Sequence, residues 1–125
     1  MASLVVQVAF SGPKGVLTVP TLVDTGAEMS LVSKAVADRL GLPILGNVSV
    51  HGAGRATVEV AKVRSIEIPG ARMCKTGPTV VFIFGKGTDI GTGIHAILGY
   101  DFMQKSKMRI DVFTKTGAIR CGKKR

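Results

Sequence analysis

Apolar positions fall in short β-branched blocks separated by glycine, proline and small polar residues. Leu4 to Phe10 (LVVQVAF) predicts a strand. The cluster from Ser11 to Gly15 predicts a turn. Val16 to Val23 (VLTVPTLV) predicts a second strand, with Pro20 confining part of it to an edge or a bulge. The clearest helix follows: Ser33 is a fitting N-cap for Lys34 to Leu40, Gly41 fits the C-terminal left-handed position, and Pro43 stops the helix. From Val48 to Ile68 the pattern predicts a long hairpin, with His51, Gly52, Ala53 and Gly54 at its tip and an alternating return strand, Thr57 to Val63. Thr79 to Phe84 (TVVFIF) is a continuous apolar block, which predicts a strand buried on both faces. A glycine-rich loop runs from Gly85 to Gly93, followed by a short apolar strand, Ala96 to Leu98, and a short helix from Asp101 to Lys107. A final hairpin is expected from Met108 to Phe113 and Ala118 to Cys121. The chain reads as mainly β with two short helices, without internal repeats or linkers.

Length and composition narrow this picture. At 125 residues, 46% of them hydrophobic, the chain suits one domain over 1–125 with one core and argues against disorder. Trp is absent and there is one Tyr, so the core is aliphatic. No apolar stretch approaches the ~20 residues of a membrane-spanning helix. The apolar N-terminal run has no preceding positive charge and no small-residue cleavage pattern, which argues against a secretory signal. Cys74 and Cys121 belong to no C-x-x-C pair, so the plain reading is two free or buried thiols in a reducing, cytoplasmic setting. The formal net charge of +9 is spread along the chain, the densest run being Lys123-Lys124-Arg125, and reads as a solubility feature. Aromatic residues are too sparse for base stacking, which argues against nucleic acid.

The chemistry concentrates at Leu22-Val23-Asp24-Thr25-Gly26-Ala27. An Asp after an apolar strand, followed by a small hydroxyl residue and a glycine, delivers a carboxylate onto a tight loop. Gly26 lets amide N–H groups approach that carboxylate, and such donors favour its ionised form. The tripeptide alone is also common turn chemistry. Elsewhere the sequence offers little. His51 and His95 have no ligand at close spacing, so neither a metal nor another cofactor is expected. Ser30 and Ser33 lack a nucleophile elbow, and GKGTDIG does not fit the phosphate-binding glycine loops. Asp89 reads as turn chemistry, Asp101 as a helix-opening cap and Asp111 as a strand residue pairing with a nearby cation.

The wider context of Asp24 resembles the retropepsin-like (retroviral-type, clan AA) aspartic proteases. The stretch LVDTGAEMSLVSKAVADRLGL is similar to the family's first signature, and Ala96-Ile97-Leu98-Gly99-Tyr100-Asp101-Phe102-Met103 to its second. The hairpin between them matches the flap in position, and MRIDVFTKTGAIR is similar to the terminal strands. Tyr100 stands where viral members usually carry Arg, and the segment from the catalytic loop to Ile97-Leu98-Gly99 is longer than in viral enzymes, as in cellular and bacterial members.

The resemblance implies a closed β-barrel of the acid-protease type with two short helices and a flap. It implies Asp24 as the catalytic residue and Thr25, Gly26 and Ala27 as its supporting loop. Ile97 and Leu98, with the tip His51 to Gly54, would border the substrate cleft. Aspartic proteolysis needs two carboxylates sharing a proton. The chain has one D-T-G, so the second must come from a symmetric copy, giving an isologous homodimer. The substrate would be an extended polypeptide, cleaved as by an endopeptidase. Two other readings compete: a catalytically silent dimerisation or peptide-binding module on the same fold, and a basic nucleic-acid-binding β protein.

Overall fold

A computed structural model describes residues 4–51, 55–71, 73–85, 93–110 and 119–122. Strand β1 (Leu4–Gly12) pairs antiparallel with β2 (Gly15–Val23) through the whole register from Leu4↔Val23 to Gly12↔Gly15. The strands therefore run further than the sequence predicts, and the turn shrinks to Pro13-Lys14. The extension holds because Ser11 and Ser65 hydroxyls bond at 2.6 Å. It also holds because Gly12 lies against the exit of the first helix, where a Cβ would meet Leu42 Cδ2 at 2.7 Å and the Leu40 carbonyl oxygen at 2.8 Å. Pro20 sits where β2 has only β1 as a ladder neighbour: the second ladder begins one residue later, at Thr21. The Pro20 carbonyl accepts the His95 N–H at 3.1 Å, so the residue's polar edge faces away from β1 and its missing N–H removes no bond of the β1–β2 ladder.

Strand β3 (Leu31–Ser33) leads into α1 (Lys34–Leu40), and both expected caps form. Ser33 Oγ accepts the Val36 N–H at 3.1 Å, and Gly41 closes the helix at φ 64°. Val36, Ala37 and Leu40 are buried. The long hairpin is β4 (Ile44–His51) and β5 (Arg55–Val63), with a register shift between Ile44 and Gly46. Its tip, residues 52–54, lies outside the described residues. The chain continues through β6 (Ser65–Glu67), β7 (Lys75–Thr76), β8 (Thr79–Phe84) and β9 (Ala96–Leu98), then α2 (Tyr100–Ser106), β10 (Arg109–Ile110) and β11 (Ile119–Arg120). Most of the glycine-rich loop (86–92) and of the terminal hairpin (111–118) also lies outside the described residues.

The main sheet has nine strands in the order β4-β5-β8-β3-β9-β2-β1-β6-β7. The mainly β class with two short helices is as expected, but the closed barrel is not: among the described residues the ladder is open, with β4 and β7 at its edges. What joins the two halves is the backbone itself. β5, near one edge, passes through Arg64 directly into β6, near the other, and the Arg64 N–H donates to the Ser11 carbonyl at 2.8 Å. The sheet folds over on this corner around a core that includes Val8, Phe10, Val32, Leu40, Val63, Ile66, Val81, Leu98 and Phe102. Each large side chain so removed from water contributes about 1.5–3 kcal/mol. β8 alternates between buried Thr79, Val81 and Ile83 and half-buried Val80, Phe82 and Phe84. Its second face is not fully covered, because Phe82 looks onto a groove described below.

The expectation of unpaired thiols is overturned. Cys74 and Cys121 form a disulfide, with Cα atoms 4.9 Å apart. The partners are 47 residues apart in sequence, so no local spacing announces them. They meet because the C-terminal strand is tied to the end of α2, where the Gly122 N–H donates to the Ser106 carbonyl at 3.0 Å. Disulfides persist in oxidising compartments, so the thiol argument for a cytoplasmic location falls away. Among the described residues no helix is long and apolar enough to cross a membrane.

Candidate active site

Asp24 is placed by the strand that does not precede it. β9 lies between β2 and β3, parallel to the first (Thr21↔Ala96, Val23↔Leu98) and antiparallel to the second (Leu31↔Ile97). The chain from β2 to β3 must therefore loop out and over the end of β9. Asp24 opens this loop, its N–H donating to the Leu98 carbonyl at 3.0 Å. The Gly26 N–H donates to Asp24 Oδ1 at 2.9 Å, and the Ala27 N–H to the Asp24 carbonyl at 3.2 Å. The carboxylate is thus oriented by an amide, as the D-T-G pattern predicts. A Cβ at residue 26 would stand 3.3 Å from Asp24 Oδ1, tighter than ordinary contact. Asp24 and Ala27 are half-buried, and Thr25 and Gly26 are exposed at the loop's apex.

The far side of the loop is clamped by α2. A helix leaves its first N–H groups without intrahelical partners. Here the Tyr100 N–H donates to the Ala27 carbonyl at 2.7 Å and the Asp101 N–H to the Glu28 carbonyl at 3.1 Å. The loop caps the helix while the helix holds the loop. Gly99 makes this approach possible: a Cβ there would fall 2.6 Å from the Met29 carbonyl oxygen and 2.8 Å from that of Ala27. Beneath lies Ser30, fully buried. Its hydroxyl donates to Asp101 Oδ1 at 2.8 Å and accepts the Gly99 N–H at 3.0 Å, and the same Oδ1 accepts the Phe102 N–H at 2.8 Å. Asp101 is thereby the helix-opening structural carboxylate the sequence suggests.

Ser30 is the residue that sequence reasoning missed. Its sign was a lone hydroxyl inside the apolar run Met29 to Val32. Ser30→Ala leaves the buried Gly99 N–H without its acceptor, which costs about 1–3 kcal/mol. Urea unfolding should show that loss. A change below about 0.5 kcal/mol would mean that the link carries no stability.

A groove of ≈ 640 Å³ opens beside the loop, lined by Gly26, Ala27, Glu28, Met29, Leu31, Val48, Ser49 and Phe82. It lies between the Asp24 loop and strand β4 of the long hairpin. Leu98, expected at the cleft, does not border it. β9 alternates, sending Ala96 and Leu98 into the core and leaving Ile97 half-buried on the other face. Leu98 serves the site through its carbonyl alone, and Ile97 is not among the groove's lining residues. His51 ends β4, but its side chain lies outside the description, as do Gly52, Ala53 and Gly54. Among the described residues no group of His, Cys, Asp and Glu could hold a metal.

A family model described as aspartyl protease matches residues 6–102. Curated protein sequences give no match. The fold is similar to that of EIAV protease complexed with the inhibitor HBY-793, with 20% identity, a TM-score of 0.59, and 82% of this chain and 86% of that one covered. It is similar to the retroviral protease-like domain of Ddi1 from Leishmania major at 20% identity and a TM-score of 0.59, covering 90% of this chain and 83% of that one. It is also similar to a retropepsin-like aspartic protease from Rickettsia conorii at 17% identity and a TM-score of 0.53, covering 88% of each chain. These likenesses establish a retropepsin-like fold, and the matched span contains both the Asp24 loop and the Gly99 clamp. The chain belongs to the aspartyl protease family.

Proposed function

We propose that this chain is one protomer of a homodimeric aspartic endopeptidase, in which Asp24 from each copy supplies half of the catalytic pair. The observation that carries the reading is the construction of the Asp24 loop. One carboxylate per chain is held by the Gly26 amide on a loop whose apex, Thr25 and Gly26, is open. A second copy meeting that apex across a two-fold axis completes the pair. Two carboxylates so close share one proton and titrate as a unit. The ionised partner takes a proton from water as it attacks the scissile carbonyl carbon. The protonated partner donates to the carbonyl oxygen. The proton taken from water then passes to the leaving nitrogen as the C–N bond breaks, and the other carboxylate recovers its proton from a hydroxyl of the tetrahedral intermediate as the product acid forms.

The groove beside the loop suits an extended polypeptide. Ala27, Met29, Leu31, Val48 and Phe82 offer apolar walls for side chains, and β4, an edge strand with exposed Val48 above them, offers backbone groups for strand-like pairing. The hairpin tip 51–54 would close over the bound chain. Thr25, exposed in the single chain, would place its hydroxyl against the partner's loop.

Dilution tests the assembly. Specific activity should fall as protein concentration drops through the dimer dissociation constant measured by sedimentation. Thr25→Val, which keeps shape but loses the hydroxyl on both sides of the axis, should move that fall to at least about tenfold higher concentration, since each unpaired acceptor costs about 1–3 kcal/mol. Activity that stays constant far below the concentration at which only monomers sediment would exclude the shared site.

A further inference from the structure

At the other end of β2 from Asp24 lies a second concave site that the proteolytic reading does not use. It has a volume of ≈ 290 Å³ and is lined by Pro13, Pro43, Pro78, Lys62, Val63 and Arg64. Four separate segments converge to make it. Pro13 comes from the β1–β2 turn, Pro43 from the exit of α1, Pro78 from the approach to β8, and Lys62 to Arg64 from the corner where β5 becomes β6. The Lys62 N–H donates to the Pro43 carbonyl at 3.1 Å, which fixes one wall against another. Three proline rings give rigid apolar faces without N–H groups to satisfy.

Lys62 ends β5's exposed face and Arg64 stands at the corner beyond it; both line the pocket, while Val63 between them is fully buried in the core. Both cations are exposed, and among the described residues no carboxylate lines the site. Among the described residues the one ion pair is Lys34 with Asp38 at 2.9 Å, so neither Lys62 nor Arg64 is neutralised there. Lys14 adds a third exposed cation next to Pro13, its stem lying along Gly41.

We infer that this proline-walled, cationic pocket is an exosite for an acidic segment of polypeptide, holding one large apolar side chain between the prolines and flanking carboxylates on Lys62 and Arg64. The volume sits at the low end of the ~300–1,000 Å³ usual for small-molecule sites, which suits one side chain. A nucleic acid is less well matched. It needs a track of cations along several phosphates and aromatic faces for its bases, and the lining residues include no aromatic side chain. The chain's net charge of +9 adds a long-range attraction for acidic partners. β2 spans nine residues between the two sites, so they lie about 30 Å apart at ~3.3 Å per residue. An extended substrate would therefore bridge them with about nine residues. The bridging rests on the proposed endopeptidase activity, but the binding does not.

The test separates these. Full-length Asp24→Asn protein, which cannot consume the probe, is titrated against a fluorescein-labelled peptide carrying one phenylalanine among aspartates and glutamates. Anisotropy should show salt-sensitive binding that weakens at least tenfold in the Lys62→Glu/Arg64→Glu variant and severalfold in Lys62→Gln/Arg64→Gln. The analogue with asparagine and glutamine in place of the acids should bind at least tenfold more weakly. In the otherwise wild-type chain, the same pairs should raise KM for a substrate with an acidic segment about nine residues from the cleaved bond. They should leave kcat, and the cleavage of a short neutral peptide, unchanged; that unchanged cleavage also reports an intact fold. Equal binding by wild-type and charge-reversed pockets would overturn the exosite. So would single-stranded RNA binding more tightly than the peptide with the same dependence on Lys62 and Arg64. If no peptide is cleaved but the acidic probe still binds through these two residues, the exosite stands and the endopeptidase reading fails.

Discussion

Asp24→Asn yields a folded protein that no longer hydrolyses peptide bonds. The fold survives because an asparagine carbonyl oxygen can still accept the Gly26 N–H that Asp24 Oδ1 accepts at 2.9 Å. The Asp24 N–H still reaches the Leu98 carbonyl, and the Ala27 N–H its backbone acceptor. What is lost is the proton chemistry. An amide can neither take a proton from water nor hold the one the pair must share. General acid–base catalysis alone contributes about 10²–10⁴-fold, and here both halves of the pair vanish together, since each copy carries the same change. Turnover of a fluorogenic peptide should therefore fall at least about a thousandfold, with melting temperature and sedimentation close to wild type. Cleavage within tenfold of wild type by a purified Asp24→Asn sample would sink the assignment. A wild-type protein that cleaves nothing, yet dimerises, would instead favour the silent module.

The second large effect is on stability. The Cys74–Cys121 disulfide closes a loop of 47 residues. In the chain-entropy account such a cross-link restricts the unfolded ensemble by about 4 kcal/mol at 25 °C. Oxidised and reduced wild-type protein should differ by about that much in urea, and the comparison changes no side chain. The Cys74→Ala/Cys121→Ala variant should resemble the reduced form, with a further small loss because Cys74 is fully buried. A difference below about 1 kcal/mol between the oxidised and reduced forms would show that the bridge contributes little.

The parts of this molecule that could be read from the sequence are those whose causes are local. Ser33 and Gly41 bracket α1 because a cap and a left-handed exit need only residues three or four away. β1 and β2 follow from composition and a nearby turn, and the Asp24-Gly26 contact from the geometry of three residues. The illegible parts depend on partners far along the chain. Nothing around Ser30 says that it will meet Asp101, and nothing around Cys74 that it will meet Cys121. The apolar block in β8 cannot reveal that Phe82 borders a groove and Val81 the core. The family resemblance of its neighbours points Leu98 to the cleft, but strand alternation turns its side chain inward and leaves the carbonyl to act. The open edges of the sheet were hidden for the same reason: closure depends on how the ends of the ladder meet, a matter of the whole chain.

The position of β9 has a consequence for the order in which the molecule can be made. β2 and β3 are near neighbours in sequence, yet they stand apart in the sheet until β9 enters between them. During synthesis the β1–β2 hairpin and α1 can form as soon as they emerge, from contacts short in sequence. The Asp24 loop cannot, because its seat consists of Leu98, Gly99 and the first turn of α2. Contacts of such long separation are formed slowly and late. A nascent chain that stops short of Ala96 would already carry its aspartate, but not the place to put it.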